Sequence, residues 1–286
     1  MNPFGDVPLR TLKGDDIPET LREIPDPPKK LYVQGDLPKD SIYLTVVGAR
    51  KYSAYGKGAC EDIIEGLKNY PFTIVSGLAL GIDGIAHKKA LEVGLPTIAV
   101  PGSGLDPSVI APRTNYFLAQ DIVKSGGALL SEFEPTMPAA PRTFPKRNRI
   151  MAGLSQGILI IEATKKSGTL ITARLGLDYN KNIFAVPGAI TSPTSEGPNW
   201  LIKEGATPVT DARDILEVFG FDTQDEPKNK EPLQGKEKEL FEHIQKFPNK
   251  TDLLEKTGWS ITDINIVGTS LELKGLVKDN GETFSF

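Results

Sequence analysis

The chain has 286 residues, 39% of them hydrophobic and 24% charged, enough for one sizeable α/β core and a small satellite domain. Its single cysteine, Cys60, excludes an internal disulfide, and with only His87 and His243 beside it a Cys/His zinc site lacks ligands, so neither metal nor cofactor is expected. The formal net charge of −4 speaks against a polyanionic partner for the chain as a whole, and no apolar run approaches the ~18 residues of a membrane span.

The first residues, MNPFGDVPLRTLKGDD, lack the apolar core of a signal peptide, so a cytoplasmic protein is expected. Residues 1–40 are rich in proline and charge and predict an extended arm, with one short strand, lying against the main domain. From Ile42 the runs IYLTVVG, FTIVSG, PTIAVPG, ALLSEF, GILIIEA and NIFAVPG alternate with helix-like stretches. Short β-branched runs in that rhythm predict a doubly wound, mostly parallel α/β sheet over residues 41–220, buried on both faces. Glycine, serine or glutamate closes these runs at their carboxyl ends, where open α/β sheets bind ligands and helix N-termini face anions.

Residues 221–236 are polar and punctuated by proline, and read as a linker. Beyond it, KEKELFEHIQKF, TDLLEKTG and SITDINIVGTSLELKGL have helical spacing, and VKDNGETFSF has a turn at Asn280-Gly281 between two strands. Three helices and a hairpin over 237–286 predict a small winged-helix-like domain. Its nine acids against six lysines, with Asp263 and Glu272 preceding Lys274 on the third helix, make a duplex reader of it unattractive and favour protein contact or packing.

The average charge hides a local asymmetry. Between Pro135 and Leu177 stand seven cations and one acid, Glu162. Lys146, Arg147 and Arg149 follow Phe144, which reads as a flexible loop whose arginines bridge phosphate oxygens while the ring stacks a base, or as a solvated helix start. Arg50, just past the first parallel strand, meets a phosphate or pairs with a carboxylate such as Glu132. Ser76-Gly77 and Ser167-Gly168-Thr169 read equally as phosphate contacts and as helix caps. Asn148 reads a base edge or locks its loop. Asp83 and His87, four residues apart, read as structural hydrogen-bonding groups rather than as a metal pair. Glu132 and Glu162 end two strands without an accompanying nucleophile, so catalysis finds little support.

Five stretches in this order resemble the DNA-processing protein A (DprA/Smf) family: VVGARKYSAYG (Val46–Gly56), IVSGLALGIDGIAH (Ile74–His87), LLSEFEP (Leu129–Pro135), FPKRNRIMAGLSQGILIIEA (Phe144–Ala163) and SGTLITARLGLDYNKNIFAVPGAI (Ser167–Ile190). With IPDPPKKLYVQGDLP and GPNWLIKEGA the resemblance covers roughly residues 24–215. It implies an extended Rossmann-type fold that binds single-stranded DNA, forms a homodimer and loads a RecA-type recombinase in natural transformation or repair, with no chemistry of its own. Carried onto this chain, it places DNA contacts at Arg50, Ser53, Ser76, Gly77, Phe144, Lys146, Arg147, Asn148, Arg149, Lys165, Ser167, Gly168 and Thr169. The sequence departs from the family at Ala111-Pro112, where such chains usually carry Tyr-Pro, and the arm is too short for the sterile-alpha-motif-like domain with which many members begin.

Trp200, Leu201 and Ile202 are consecutive, and three successive helical residues cover too wide an arc to face one sheet, so a homodimer contact is expected there. The rival reading is a nucleotide-processing enzyme resembling phosphoribohydrolases of the same fold. Their PGGxGTxxE-like signature is missing here, because Pro187-Gly188 continues as AITSPTSEG.

Overall fold

The computed structural model describes residues 4, 6–221, 235–273 and 277–285, and the chain divides into two compact units, Met1–Phe221 and Asp222–Phe286. Most of the expected linker and Lys274 lie outside the described residues.

In the first unit, β1 (Leu9–Lys13), α1 (Glu19–Arg22) and β2 (Lys30–Gly35) precede β3 (Ile42–Val47), α2 (Ala54–Gly66), β4 (Phe72–Ser76), α3 (Ile82–Glu92) and β5 (Thr97–Ala99). There follow α4 (Tyr116–Lys124), β6 (Ala128–Ser131), α5 (Thr143–Leu154), β7 (Gly157–Ile160), α6 (Thr169–Asp178), β8 (Asn182–Ala185), α7 (Glu196–Lys203), β9 (Thr207–Pro208) and α8 (Ala212–Val218). Each of the six apolar runs is a strand. They form a nine-stranded sheet of order β1-β2-β6-β5-β4-β3-β7-β8-β9. From β6 to β9 the pairing is parallel, and β2 and β1 add antiparallel at the β6 edge. The segment expected to be an arm with one short strand therefore contributes two strands to the sheet. Leu31 and Val33 point into the core while β1 lies on the open edge, its side chains mostly exposed.

Alternation along each strand divides the apolar residues between two layers. Val47, Ile98, Leu130, Ile158 and Ile160 pack with Ile150, Met151 and Leu154 of α5 and with Leu170 and Ala173 of α6. Leu44, Val46, Ile74 and Leu159 pack with Cys60, Ile63 and Ile64 of α2 and with Ile82, Ala86 and Ala90 of α3 on the other face. The chain winds outward from β3 through β4, β5 and β6, then returns to place β7 on the opposite side of β3. That reversal leaves a crevice beyond the carboxyl ends of β3, β4 and β7, the position at which open α/β sheets take ligands.

The second unit holds α9 (Lys236–Ile244), α10 (Lys250–Thr257), α11 (Ile261–Leu273) and an antiparallel pair, β10 (Lys278–Asp279) and β11 (Phe284–Ser285). Leu240, Ile244, Leu253, Ile264, Leu271 and Phe284 make its core. The Asn249 side chain accepts from Thr251 N at 2.9 Å and caps α10, which ends at Gly258 in the left-handed region. Lys250 Nζ donates to Asp279 Oδ2 at 2.7 Å and Asn265 Oδ1 at 2.9 Å, tying the strand pair to α11. Among the described residues no helix is long and apolar enough to cross a membrane.

Candidate functional site

A cavity of about 230 Å³ opens in the crevice. Gly48 and Arg50 reach it from the end of β3, Ala79 and Asp83 from the β4–α3 turn, Phe144, Arg147 and Asn148 from α5, and Ser167, Gly168 and Thr169 from the start of α6.

Two of the strand-end turns are already filled by carboxylates of the chain itself. Asp83 Oδ2 accepts from Gly77 N at 3.1 Å. Leu78, buried with φ +57, makes this sharp turn possible, and Asn115 Nδ2 holds it by donating to Leu78 O and Ala79 O at 2.9 and 3.0 Å. Glu162, at the end of β7 and 2% exposed, occupies the N-terminus of α2. It accepts from Ser53 N at 2.9 Å, from Ser53 Oγ at 2.7 Å and from Thr194 Oγ1 at 2.8 Å. Gly56 is required there, because a Cβ would meet Glu162 Oε2 at 2.3 Å. Helix N-termini favour negative charge, and here that charge is internal.

These bonds give three of the residues expected at DNA contacts roles inside the fold. Ser53 caps α2 and binds Glu162. Ser76 is fully buried, its hydroxyl donating to Val46 O at 2.6 Å. Gly77 gives its amide to Asp83 and lets Arg147 pass, since a Cβ would lie 1.5 Å from Arg147 Nη1.

The basic stretch is not a loop but the first turns of α5. Pro145 is tolerated in a first turn because its missing N–H has no intrahelical partner there. At 3.6 residues per turn the cations fan apart rather than forming one patch. Lys146 points to solvent. Arg147 points inward, 6% exposed, its Nη1 donating to Val100 O at 2.8 Å. Burial pushes its pKa down and that of Asp83 up, while their mutual attraction opposes both shifts. Arg149 points sideways to Glu132 and Asp26, donating from Nη2 to Glu132 Oε1 at 2.5 Å and from Nη1 to Asp26 O at 2.7 Å, with Nε 3.2 Å from Asp26 Oδ2 as an ion pair. It is Arg149, not Arg50, that pairs with Glu132. Asn148 is buried, its amide donating to Gly168 O at 3.4 Å, so it links α5 to the α6 turn.

Arg50 is exposed and enters no ion pair among the described residues. Its guanidinium lies 5.4 Å from the centroid of Phe144, whose ring packs so closely on Gly102 that a Cβ there would come within 2.7 Å. Phe144 therefore serves first as a shelf for Arg50. Across the cavity, Ser167 Oγ donates to Thr169 Oγ1 at 3.0 Å, Thr169 Oγ1 donates to Gly48 O at 3.2 Å, and a Cβ at Gly168 would meet nothing within 4 Å. The first amides of α6 are met from within the chain, Thr169 N by Ser167 Oγ at 3.2 Å and Leu170 N and Ile171 N by Ser167 O and Gly168 O, both at 3.1 Å, and among the described residues no carboxylate accepts from them. Lys165 stands just outside, 75% exposed and 4.0 Å from Glu196.

Farther along, Leu201 is 1% exposed within the core, which corrects its expected place at an interface. Trp200 and Ile202 are half-buried, with Arg174 lying 5.6 Å from the Trp200 ring centroid. His87 is fully buried, its Nδ1 sharing a 2.7 Å hydrogen bond with Thr97 Oγ1, and burial lowers its pKa to about 3. Asp83 and His87 thus have separate structural partners. The sequence marked Asp83 as a structural hydrogen-bonding group and Glu162 as an acid at a strand end. What it did not reveal is that each takes up backbone amides.

A sequence model of the family described as DNA recombination-mediator protein A matches residues 9–220. The protein Smf of Escherichia coli is 47% identical over 205 residues, a match that spans 71% of this chain and 54% of that protein, about half its length. The DNA processing protein DprA of Streptococcus pneumoniae is 41% identical over 223 residues, 76% of each chain. An X-ray structure of that DprA superposes with a TM-score of 0.68 at 40% identity over 75% of each chain. DNA processing protein A of Helicobacter pylori, whose structure was reported for its single-stranded DNA binding mode, superposes with a TM-score of 0.67 at 31% identity over 75% of this chain and 96% of that one.

Proposed function

Because the chain belongs to the DNA recombination-mediator protein A family, we propose that its first unit binds single-stranded DNA in the switch-point cavity and presents the strand to a RecA-type recombinase. The observation that carries this reading is that Arg50, which enters no ion pair among the described residues, lines one cavity together with the Ser167-Gly168-Thr169 turn at the start of α6. A guanidinium and a helix N-terminus lining one cavity suit a phosphodiester. Lys146, Lys165, Lys166 and Arg142, exposed and close in sequence to the lining residues, add positive potential along a backbone. A cavity of about 230 Å³ takes a single nucleotide unit, which an unpaired strand offers and a stacked duplex withholds.

The reading assigns the cavity binding rather than bond cleavage. Asp83, the carboxylate lining it, is 5% exposed and already engaged by Gly77 N, and no nucleophile is hydrogen-bonded to it among the described residues. The relative from H. pylori supports the choice of ligand. Two copies meeting near α7 would align two such cavities on one strand and raise avidity.

The test is fluorescence anisotropy with single- and double-stranded oligonucleotides at several salt concentrations. Preference for the single strand, with affinity falling steeply as salt rises, is expected. Equal affinity for duplex, or a flat salt response, rejects the reading, and release of a free base from nucleoside monophosphates restores the enzyme alternative.

A further inference from the structure

Asn115 stands at the start of α4, a place where asparagine ordinarily caps a helix by accepting from one of its first amides. Here the side chain makes no such cap. It is 8% exposed and spent outside its own helix, with Nδ2 donating to Leu78 O at 2.9 Å and to Ala79 O at 3.0 Å, 37 and 36 residues earlier in the chain. Gly84 leaves room for it, since a Cβ there would lie 3.3 Å from Nδ2. A cap is forgone so that a distant turn is held.

The turn needs holding. Leu78 sits at φ +57, a conformation that a residue with a side chain keeps only where its surroundings over-determine it. Its side chain is buried with Ile110 and Leu118, and its carbonyl is taken by Asn115. The far end of the same turn reaches the end of β3. Gly81, at φ +82, passes so close that a Cβ would fall 2.3 Å from Ala49 O and 2.7 Å from Arg50 Cα, and the next amide, Ile82 N, donates to Ala49 O at 3.3 Å. The Arg50 backbone therefore lies against the turn that Asn115 fixes. Because the guanidinium enters no ion pair among the described residues, the backbone decides where it stands.

We propose that Asn115 is a positioning residue for phosphate binding: through Leu78 O and Ala79 O it fixes the turn, and through Gly81 the turn fixes Arg50. The inference rests on the single-strand reading above and adds to it a residue that does not line the cavity. Without the two bonds Leu78 relaxes out of the left-handed region, Gly81 shifts, and Arg50 loses its place. Asn115 touches no DNA, so its effect on affinity passes through Arg50.

The test is a double-mutant cycle on the full chain, read by anisotropy with an oligothymidylate across a salt series. The variants are Asn115→Ala, Arg50→Ala and their combination, with Asn115→Ala combined with Lys146→Ala as the control. Urea unfolding shows which variants are folded under the binding conditions, and Asn115→Ser, too short to reach both carbonyls, replaces Asn115→Ala throughout if the latter is not. Arg50→Ala is expected to weaken binding about tenfold, in line with one charge-assisted hydrogen bond, and Asn115→Ala by about threefold or more. Asn115→Ala should also lower the salt slope, by up to roughly the 0.7 of one phosphate. With Arg50→Ala already present, Asn115→Ala should change affinity by less than about 1.5-fold, whereas with Lys146→Ala it should keep its full effect. Parental binding by Asn115→Ala, or the same loss with and without Arg50, overturns the proposal and leaves the single-strand reading standing. If the parent does not bind the oligothymidylate, that reading fails and the proposal with it.

Discussion

Ser53 and Glu162, 109 residues apart in sequence, are joined twice: the serine amide donates to Glu162 Oε2 at 2.9 Å and its hydroxyl to Oε1 at 2.7 Å. The carboxylate thereby fixes the start of α2 and, through it, the turn that carries Arg50. Glu162→Ala leaves the Ser53 amide and two hydroxyls buried without their acceptor, so a loss of about 2–4 kcal/mol in stability is expected. Single-strand affinity should fall as well, since Arg50 loses its fixed base. Urea unfolding and anisotropy measure the two effects. A variant as stable as the parent removes Glu162 from this role.

The fan of cations on α5 separates binding from structure. Arg50→Ala and Lys146→Ala should each weaken single-strand binding across all sequences, and each should lower the salt slope by roughly 0.7. Arg149→Ala, which breaks the pairs with Glu132 and Asp26, should leave the salt slope alone and cost about 1–3 kcal/mol of stability. Arg147→Ala should be the most damaging to the fold, at about 2–4 kcal/mol, because it empties a buried site and leaves Val100 O without its donor. A salt slope lowered by Arg149→Ala as much as by Arg50→Ala places the phosphate contact on α5 instead.

The parallel sheet was legible because every strand between Ile42 and Ala185 is a short β-branched or apolar run. The two strands added at the β6 edge were less so: β1, LRTLK, is polar and lies on an edge, where half-exposed residues leave a weak pattern. Helix α5 was hidden by Phe144-Pro145 and by four consecutive polar residues before Ile150, and its burial comes from the tertiary contacts of Ile150, Met151 and Leu154. That Arg50 lies in the crevice was legible from its place after a strand end. The serines were over-read for a single physical reason. Sequence shows which turns have free amides, but not that Asp83 and Glu162 return from elsewhere to take them.

His87 makes the first unit acid-sensitive. Burial lowers its pKa from 6.5 to about 3, so the unfolded chain binds a proton that the folded one refuses. The contribution of this group is complete above pH 6.5 and is lost as pH falls from 6.5 toward 3, at about 1.4 kcal/mol per unit at most. Asp83, whose pKa is raised, acts in the opposite sense in parent and variant alike. His87→Asn should therefore show a shallower decline of the urea midpoint between neutral and acid pH than the parent. Parallel declines in the two proteins contradict the buried neutral imidazole.

Residues 1–221 form a compact unit with their own core and contain every group assigned to DNA. That fragment is expected to keep most of the single-strand affinity, measured beside the full chain at the same salt. Loss of binding by a fragment that circular dichroism shows to be folded assigns a DNA contact to the acidic second unit.

The final expectation concerns self-association near α7. With Leu201 buried in the core, only Trp200 and Ile202 are left at the surface, both partly covered, beside the sheet edge formed by β9. A two-fold contact repeats the same patch on both copies, so Trp200 and Ile202 from each would meet across the axis. Arg174 and Lys165 flank Trp200, and the same symmetry brings those cations toward their own counterparts. The apolar contact must then overcome a repulsion that salt screens. Dimerisation should accordingly strengthen with salt over the range in which DNA binding weakens, a pair of opposed trends that no single charged interface produces. Replacing Trp200 and Ile202 with glutamate should give a folded monomer, and its single-strand affinity should drop by about tenfold or more on strands long enough to span two sites, but not on short ones. Light scattering across a salt series decides the matter: a parent that stays monomeric at tens of micromolar at every salt concentration eliminates the contact.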